Sequence, residues 1–320
     1  MTTEQERTQA EVIGKSPDLS VVILTYNTRE LALNCIDSVI KASEGLDVEI
    51  IATDNGSTDG TLEAIRDRFP NVIIVENKEN LGFSGGNNRG IAVGTGRYIL
   101  VLNPDTVVHK DALKLTMEYA EAHPECGMVG CRVLHPNGTV QKSWFAEWSL
   151  FQAAWEALGL QVVMPLSRID GKLKFSGKAP GQAVPVDRIL GCFMWMSRKV
   201  IETVGMFDER FFLYCEEEDM CRRIRDHGLE VHYFPGAEIV HLGGQTTYNI
   251  SDFSRIQTNI SKVLWMKKYR GPASVLAFRL IWSMALILRV IFRAPLALGS
   301  RYYRQVVKGE WRSIRAIWRN

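Results

Sequence analysis

Short apolar segments alternate with longer segments of mixed polarity over the first 134 residues. The apolar, β-branched segments predict five strands, and the segments between them have the spacing of helices. The strands are predicted at residues 19–27, 48–55, 71–77, 97–103 and 127–134, and the helices at 29–43, 58–69, 84–93 and 109–123. Nearly continuous apolar strands separated by helices predict an α/β fold, with a parallel sheet covered on both faces.

The pattern changes in the second half of the chain. Residues 149–185 contain several Pro and Gly and predict loops and short secondary-structure elements near the ligand-binding edge of the sheet. Strand character returns at 186–197. The sequence FFLY is predicted as an aromatic strand, followed by a helix that ends at Gly228. Two short strands, at 230–235 and 237–244, complete this part. The segments 274–293 and 301–320 predict helices, with Pro295 ending or kinking the first.

Charge is distributed unevenly along the chain. Of 320 residues, 46% are hydrophobic and 23% are charged, which is enough apolar material for a sizeable core. The net charge is +2, but residues 265–320 hold twelve Lys or Arg and one acid, a local charge of +11 that leaves −9 on residues 1–264. We therefore predict a flexible tail at 1–17, a globular domain at 18–264 and a basic appendage at 265–320.

Two features bear on the compartment. The six cysteines include no CxxC pair and several lie in apolar segments, so we expect reduced core residues in a cytosolic protein. The N-terminal sequence is polar and does not resemble a signal peptide. No stretch of eighteen uninterrupted apolar residues predicts a clear transmembrane helix.

The basic appendage has the pattern of amphipathic helices. Arg279, Arg289 and Arg293 fall within one sector of the first helix. In the second, six cations lie beside an apolar stripe: Arg301, Arg304, Lys308, Arg312, Arg315 and Arg319 beside Tyr303, Val307, Trp311, Ile314 and Trp318. This pattern favours helices lying at an anionic membrane surface. The alternative is helices packed on the domain with a solvated basic face. No nucleic-acid-binding module accompanies the charge, so nucleic acid is not a predicted partner.

Polar clusters follow four of the predicted strands. They read TYN, TDNGSTDG, ENKENLGFSGGN and NPDT. In a parallel sheet the ligand binds beyond the carboxyl ends of the strands, so these clusters predict one polar site. Asp105, in NPDT, could also be a turn residue, because Asn-Pro marks a turn.

Three familiar sites fit the sequence poorly. The first strand is not followed by GxGxxG, and the chain has no GxxxxGK[ST], which argues against dinucleotide and P-loop sites. Residues 82–86, GFSGG, match the GxSxG elbow of serine hydrolases. The polar sequence ENKEN, however, separates this motif from its strand, whereas an elbow requires the serine directly after the strand.

The carboxylates suit a different chemistry. Asp54 and Asp105 end strands that should lie near each other, and Mg²⁺ or Mn²⁺ needs only one or two protein carboxylates beside a phosphate ligand. A diphosphate leaving group requires such a cation because negative charge builds on it as its bond breaks. His241 follows a short strand and lies next to Gly243-Gly244, which makes it a second candidate ligand. A lone His is otherwise more often structural.

Five motifs together resemble a known family. TYN at 25–27, DNGSTDG at 54–60, NLGFSGGNNRG at 80–90, LNPD at 102–105 and FDERFFLYCEEEDMCRR at 207–223 resemble the GT-A-fold family 2 inverting glycosyltransferases, and most nearly the bacterial rhamnosyltransferases that extend lipid-linked glycans. The resemblance covers about residues 18–245. It implies a Rossmann-like, mostly parallel GT-A sheet followed by the C-terminal amphipathic helices.

The resemblance also implies roles for individual residues. Asp105 would hold the divalent cation, His241 would complete its shell, and Asn103 would not ligate. Glu217 would be the catalytic base, with Glu216 and Glu218 as its alternatives in the sequence EEED. The predicted nucleotide-sugar contacts are Thr25, Asn27, Asp54 (to the base), Asn80, Gly86 and Asn88. EEED also reads as an acidic helix start, in which Asp219 could pair with Arg222 or Arg223.

The implied activity is inverting, metal-dependent transfer of L-rhamnose from dTDP-rhamnose to a polyprenyl-diphosphate-linked saccharide in bacterial cell-surface glycan synthesis. The implied location is peripheral, at the cytoplasmic face of the inner membrane. One alternative is transfer of another sugar from a UDP donor. The alternative from another class is a membrane-bound, non-catalytic nucleotide-sugar-binding protein.

Overall fold

The computed structural model describes residues 16–164, 166–169, 172–175, 178–243 and 252–319, so most of the predicted N-terminal tail lies outside the described residues. The strands are β1 Leu19–Thr25, β2 Val48–Asp54, β3 Ile73–Glu76, β4 Tyr98–Leu102, β5 Thr106–Val108, β6 Cys126–Leu134, β7 Val140–Gln141, β8 Trp144–Phe145, β9 Leu166–Ile169, β10 Lys172–Phe175, β11 Val184–Pro185, β12 Arg188–Ile189, β13 Phe193–Ser197 and β14 Glu230–His241.

The helices alternate with these strands in the first half and end the chain. They are α1 Arg29–Ala42, α2 Thr61–Arg68, α3 Gly82–Val93, α4 Ala112–Ala122, α5 Leu150–Ala157, α6 Leu160–Val163, α7 Arg198–Val204, α8 Glu216–Asp226, α9 Asp252–Tyr269, α10 Pro272–Gly299 and α11 Arg301–Arg319. The predicted α/β alternation of the first half is confirmed.

The main sheet has the strand order β3-β2-β1-β4-β13-β6-β14-β11. Strands β3, β2, β1 and β4 are parallel. Strand β13, however, runs antiparallel to both of its neighbours, β4 and β6. The chain reaches β13 through short strand pairs and the two helices α5 and α6. Strands β5, β7 and β11 also pair antiparallel with their neighbours, so the sheet is mixed, and the apolar pattern did not predict its antiparallel strands.

Alternate side chains of the sheet enter two apolar layers. In β1, Val21 and Ile23 face a layer that includes helices α1 and α4, and Val22 faces a layer that includes α3, α7 and α8. This alternation follows from the period of two in a strand. Because both faces are covered, the strands of the parallel half are mostly apolar, which explains the apolar segments in the sequence.

Several predicted boundaries need correction. The single strand predicted at 186–197 is two strands, β12 and β13, interrupted at 190–192. The two short strands predicted after Gly228 form one strand, β14, whose register shifts between Phe234 and Glu238. Pro235 and Gly236 lie in that shift, where neither the missing N–H nor the missing side chain interrupts the ladder. Helix α10 continues through Pro295 to Gly299, so this proline does not end it.

The C-terminal helices pack on the catalytic domain and on one another. Trp265 and Met266, which are fully buried in α9, join Phe278 and Trp282 of α10 in a third apolar cluster that also contains Trp148. The predicted boundary after residue 264 therefore falls inside a buried helix. The chain first leaves the helical conformation after α9, at Arg270 and Gly271.

Helix α10 has two different faces. Arg293 points inward and binds the buried Glu310 of α11 at 2.8 Å, and Arg279 lies over the ring of Trp318. The opposite, outward face is exposed and apolar: Leu276, Leu280, Met284, Ile287, Leu288, Ile291 and Phe292. By length and composition this 28-residue helix could cross a membrane, which the sequence pattern alone did not indicate.

Helix α11 agrees in part with each of the two predictions for the basic appendage, a helix packed on the domain and a helix exposed to a membrane surface. It packs through a narrow face of Val306, Gly309, Ser313 and Ile317, so it is not a free amphipathic helix. Its cations, such as Arg304 and Arg312, remain exposed, and so do Trp311 and Trp318 of the predicted stripe.

Candidate functional site

The carboxyl ends of β1 and β2 are joined by the carboxylate of Asp54. Thr25 donates to its Oδ1 at 2.8 Å, and the Ser57 hydroxyl donates to the same oxygen. The backbone N–H groups of Gly56 and Ser57 donate to Oδ2 at 2.9 and 2.7 Å. These four bonds fill the lone-pair positions of a fully buried carboxylate. In this structure Asp54 anchors the loop, and a contact to a nucleotide base stays a prediction that requires the Ser57 hydroxyl to turn away.

Asn27 connects the same two loops. It has a left-handed backbone conformation, with φ of 51°, which Asn tolerates better than most residues. Its N–H donates to the Ser57 hydroxyl at 2.8 Å, and its side-chain Oδ1 accepts from the Thr58 N–H at 2.8 Å. The side chain lies at an exposed position, where it can line a pocket as predicted.

A network of amides connects the carboxyl ends of β2 and β3. The buried Asn55 accepts from Asn77 at 3.0 Å and donates to the carbonyl of Gly82 and to Asn80 Oδ1, at 2.9 and 3.2 Å. Asn80 Oδ1 also accepts from the Gly82 N–H at 2.9 Å. Asn80 is thus held at the edge of the site by partners that we did not single out from the sequence. Asn55 could have been recognised by its place in the DNGSTDG cluster.

Gly86 and Asn88 lie on helix α3 and have internal partners. A side chain at Gly86 would collide with Leu24, so the glycine lets α3 approach β1 closely. Asn88 donates to the carbonyl of Phe207 at 2.9 Å and to Glu209 at 3.0 Å, and accepts from the Phe207 N–H. Both N–H donors of Asn88 are therefore used inside the protein. Contact of Gly86 and Asn88 with a nucleotide-sugar stays a prediction.

Ser84, the serine of the GFSGG motif, is fully buried within the first turn of α3. It does not stand on a strand-to-helix elbow, and this placement agrees with the argument against a serine hydrolase.

Asp105 and His241 meet at the end of the sheet. The pairing of β14 with β5 places His241 beside Thr106, and the Leu242 N–H donates to the carbonyl of Asp105. His241 Nε2 lies 3.3 Å from Asp105 Oδ1, a separation that suits two ligands of one cation. The other ring nitrogen, Nδ1, lies 3.1 Å from Gln141 Oε1. When Nδ1 donates this bond, Nε2 keeps its lone pair towards Asp105.

This pair of side chains fits a divalent cation that also takes ligands from a substrate. Among the described residues, no group of three or more His, Cys, Asp or Glu side chains forms a complete metal cage. One carboxylate and one imidazole leave room for phosphate and water ligands. Gln141, which positions the imidazole, was not predicted, because it lies a hundred residues before His241 and only the fold brings them together.

A second acidic side chain, that of Glu217, lies against the loop before β13, where a Cβ at Gly191 would be 3.4 Å from the Glu217 Cβ. The Cys192 thiol is fully buried, and burial raises its pKa, with further contributions from the charges of Asp105 and Glu217. The carbonyl of Cys192 also accepts from the Asn103 N–H at 3.1 Å, which fixes the start of β13 beside the end of β4. The predicted base and the predicted metal ligand are therefore both near Cys192, and their joint action stays a prediction.

The EEED sequence opens α8, and its four acids have different surroundings. Glu216, Glu218 and Asp219 are buried. The side chain of Glu217 is 16% exposed, against 7% for that of Glu218. Glu217 is thus the most exposed acid of this group.

Asp219 has a structural role. It is fully buried and accepts from Arg223 Nε at 2.8 Å and from the Tyr269 hydroxyl at 2.6 Å, and Lys268 forms a further ion pair with it. The predicted pairing with Arg223 is confirmed, and the partners on α9 were not foreseen.

The segment before α8 differs from the prediction. Residues 211–214, FFLY, form bends instead of an aromatic strand. Tyr214 and Cys215 have φ values of 68° and 67°, a region that few residues other than glycine adopt. This backbone turns the chain sharply into α8, so that the helix starts with its acids inside the site.

Glu217 lies beside a partly buried arginine. Arg188 Nε lies 2.8 Å from Glu218 Oε1, and Arg188 Nη1 lies 3.7 Å from Glu217 Oε1. The guanidinium also stacks over the ring of Phe145. Burial, and then the charge of Glu218, raise the pKa of Glu217 to about 7, against the opposing effect of Arg188. A carboxylate with this pKa is suited to accept a proton near neutral pH.

Comparison with known proteins gives a family match and two informative relatives. The profile described as Glycosyl transferase family 2 matches residues 20–205. The N-acetylglucosaminyl-diphospho-decaprenol L-rhamnosyltransferase of Mycobacterium tuberculosis is 29% identical over 240 residues, which are 72% of this chain and 77% of the relative. The low-salt glycan biosynthesis hexosyltransferase Agl10 of Haloferax volcanii is 26% identical over 231 residues, or 70% and 67% of the two chains.

Solved structures share the fold. The mannosyltransferase PcManGT of Pyrobaculum calidifontis, in complex with GDP-Man and Mn²⁺, has a TM-score of 0.58 at 17% identity and covers 98% of this chain and 92% of its own. GalNAc-T7 with UDP, GalNAc and Mn²⁺ has a TM-score of 0.54 at 14% identity, covering 77% of this chain and 48% of its own. At these identities the likeness concerns the fold, which is of the predicted GT-A type.

Proposed function

Because the chain belongs to glycosyl transferase family 2 and is a glycosyltransferase, we propose that it inverts the anomeric centre of L-rhamnose as it transfers this sugar from dTDP-rhamnose to a polyprenyl-diphosphate-linked saccharide. The observation that supports the mechanism is that Glu217 packs against Gly191, while the next residue, Cys192, accepts from the N–H of Asn103 in the loop that carries Asp105. One carboxylate can serve the acceptor and the other the leaving group.

The transfer step requires a base on the acceptor side. Glu217 accepts the proton of an acceptor hydroxyl while the hydroxyl oxygen bonds to the anomeric carbon. The bond from that carbon to the diphosphate oxygen breaks, and the nucleoside diphosphate leaves with the bonding electrons. Attack from the face opposite the leaving group inverts the configuration. Arg188 holds Glu217 and Glu218 in place, and its charge favours the ionised form of the base.

The leaving-group side would bind a divalent cation. Asp105 and His241 would hold it, and Gln141 would orient the imidazole. The bound cation supplies charge neutralisation for the departing diphosphate. A set of one carboxylate and one imidazole suits Mn²⁺ better than Mg²⁺, because Mg²⁺ prefers oxygen ligands alone. The Mn²⁺ in the two related structures supports this choice.

The names of the relatives support the proposed sugar and acceptor. The mycobacterial relative is named for L-rhamnose and for a diphospho-decaprenol acceptor. Transfer of another hexose from a UDP donor is the second candidate, since GalNAc-T7 was solved with UDP. The melting temperature of the protein, measured with Mn²⁺ and a panel of nucleotide-sugars, distinguishes the two candidate donors. The largest stabilisation should come from dTDP-rhamnose, and a larger one from a UDP-sugar would favour the alternative.

A non-catalytic nucleotide-sugar-binding protein is the candidate from another class. It needs no base, so the raised pKa and residual exposure of Glu217 would have no use in it. Turnover with any donor and lipid-linked acceptor would exclude this candidate.

The pH dependence of turnover tests the base. Glu217 must be ionised to accept a proton, and its pKa is about 7. Turnover should therefore rise with pH through about 7 and level off above it. Glu218→Gln removes the neighbouring charge that raises this pKa, so the acidic limb of the profile should move to lower pH. Glu202→Gln, at an exposed position on α7, is the matched control. An acidic limb that stays in place in Glu218→Gln would contradict the assignment.

We also propose that the protein binds the cytoplasmic face of the inner membrane peripherally, through the outward face of α10 and the exposed cations of α11. The apolar outward face and the charge of residues 265–320 support this proposal. Removing everything after Tyr269 would expose Trp265 and Trp148, so truncation is a poor test of binding.

Surface substitutions test membrane binding without that complication. Leu280→Glu combined with Ile291→Glu should abolish most binding to anionic vesicles, because both side chains lie on the outward face of α10. Binding of the unaltered protein should also weaken with added salt, since screening reduces its attraction to anionic lipids. Equal vesicle binding of the variant and the unaltered protein, at unchanged melting temperature, would refute the membrane role.

A further inference from the structure

Lys142 is a cation near the candidate site that the proposed mechanism does not use. It comes directly after β7, in which Gln141 Oε1 lies 3.1 Å from the Nδ1 atom of His241. The residue before Lys142 is therefore tied to the predicted metal ligands, Asp105 and His241. The side chain of Lys142 is partly buried and partly open to solvent.

The residue after Lys142 is tied to the loop beside the predicted base. The carbonyl of Ser143 accepts from the Leu190 N–H at 3.1 Å. Gly191, which follows Leu190, packs against Glu217, since a Cβ built there would be 3.4 Å from the Glu217 Cβ. Through its two chain neighbours, Lys142 is thus connected to both halves of the site.

The side chain of Lys142 shares an aromatic ring with Arg188. The Nζ atom of Lys142 lies 5.3 Å from the centre of the Phe145 ring, and the Cζ atom of Arg188 lies 4.3 Å from the centre of the same ring. Arg188 Nη1 in turn lies 3.7 Å from Glu217 Oε1. One ring therefore holds two cations, of which one contacts the predicted base.

The surroundings of Lys142 disfavour its charged form. Burial, and then the charge of Arg188, lower the pKa of Lys142 to about 8. The ammonium form still predominates at neutral pH, so the side chain can attract an anion. An anion bound beside it would reverse the shift in pKa, because an opposite charge favours the charged form. This position therefore suits an anionic group of a substrate.

The proposed reaction brings two diphosphates to the site, one in the donor and one in the lipid-linked acceptor. Both present the same anionic phosphate oxygens, and a lysine ammonium binds phosphate through its charge and its N–H donors. A divalent cation held by the carboxylate of Asp105 would keep a net charge of about +1, which does not neutralise a departing nucleoside diphosphate. A lysine is a suitable further cation.

We propose that Lys142 binds the phosphate oxygens of a substrate diphosphate, either that of the nucleotide-sugar donor or that of the lipid-linked acceptor. This inference rests on the proposed glycosyl transfer and adds a binding residue to it. The contacts of Gln141 and of the Phe145 ring support it, because they connect Lys142 to the leaving-group half and to the acceptor half of the site. The two sources differ in which substrate loses affinity when the charge is removed.

Binding measurements with Lys142→Met in the full chain test this inference without requiring turnover. The donor probe is dTDP-rhamnose with Mn²⁺, and the acceptor probe is N-acetylglucosamine linked through diphosphate to a short prenyl chain. A third probe carries the same sugar and chain without the diphosphate. Loss of a charged hydrogen bond should weaken binding of one diphosphate probe by about 10- to 100-fold. The neutral probe should bind as it does to the unaltered protein.

Lys142→Arg and Lys199→Met are the matched controls. The arginine keeps the charge, so it should lose less affinity than Lys142→Met does. Lys199 is exposed on α7. It lies close to Ser197, which pairs with Tyr98 at the opposite end of β4 from Asp105, so Lys199→Met should bind all three probes normally. The melting temperature of each variant checks the fold, and Lys142→Gln takes the place of Lys142→Met if that variant is unfolded.

Each result supports or overturns the inference. Selective loss of donor binding assigns Lys142 to the nucleotide diphosphate, and selective loss of the diphosphate-linked acceptor assigns it to the acceptor. Unchanged affinity for both diphosphate probes overturns the inference, and so does an equal loss for the charged and the neutral acceptor probes with unchanged donor binding.

The same measurements separate this inference from the proposed function. Tighter binding of a different nucleotide-sugar by the unaltered protein would overturn the proposed donor, and the comparison of Lys142→Met with the unaltered protein would then be made with that nucleotide-sugar. Failure of the unaltered protein to bind either diphosphate probe, or any other nucleotide-sugar, overturns the inference together with the proposed substrates.

Discussion

Glu217→Gln should lower the turnover of the enzyme by about 10²–10⁴-fold, the usual loss when a general base is removed. The amide keeps the size of the side chain and its place beside Arg188, but it cannot accept the proton of the acceptor hydroxyl. The donor site should be nearly unaffected, because Asp105 and His241 lie beside each other, whereas the charged neighbour of Glu217 is Arg188. The measurement is kcat with a lipid-linked acceptor, alongside the Kd of the donor with Mn²⁺.

Neighbouring acids provide controls for this prediction. Glu216 and Glu218 are buried, so Glu216→Gln and Glu218→Gln should retain much more turnover than Glu217→Gln at a pH above 8. If one of them is inactive and Glu217→Gln is active, the base is that neighbour and the mechanism stands. Normal turnover in all three variants would mean that EEED is only an acidic helix start, and the base would lie elsewhere.

Asp105→Ala should eliminate metal-dependent donor binding without unfolding the protein. The variant removes the carboxylate of a pair formed by Asp105 and His241, so a cation held there would lose the one anionic side chain that the described residues place in this pair. His241→Ala should weaken donor binding less, since water can replace a neutral imidazole. Gln141→Leu should have the smallest effect, because it removes only the acceptor that orients the imidazole.

Calorimetric titration of each variant with Mn²⁺ and nucleotide-sugar measures this order. Asp67→Ala, at an exposed position on α2, is the control for removal of a surface carboxylate. Full activity of Asp105→Ala after chelation of the metal would refute the assignment. Equal loss in all three site variants would show that the site fails as a unit, contrary to the graded effect expected here.

The parallel half of the sheet could be predicted because its strands and helices are each recognisable from a short stretch of sequence. The strands β1 to β4 are continuous apolar segments, and the helices between them have clear spacing, so the gathering of polar clusters at one edge followed directly. The direction of β13 is not a local property. Its apolar sequence suits a parallel or an antiparallel neighbour equally, and only the loops before it decide.

The site shows the same division. Asp105 and Glu217 are recognisable from motifs, but their supporting residues are distant in sequence. Gln141 lies a hundred residues from His241, and Arg188 lies about thirty from the acids that it holds. Neither stands in a motif, so only the packing of β7 and β12 reveals them. The sequence also did not predict that Arg293 of α10 points inward. The spacing of residues on a helix shows which of them share a face, but not which face packs on the protein.

The ion pairs around α8 bear on how this enzyme could be recombined with its relatives. Asp219 forms an ion pair with Lys268 and accepts a hydrogen bond from Tyr269, both on α9. Glu147 pairs with Arg270 at 2.6 Å and with two arginines of α8. A chimera that receives foreign C-terminal helices would leave Asp219 fully buried with Arg223 as its one remaining partner, and an undercompensated buried charge is costly. The helices after residue 252 are therefore not an exchangeable module, and a working graft must carry residues that can pair with Glu147 and Asp219.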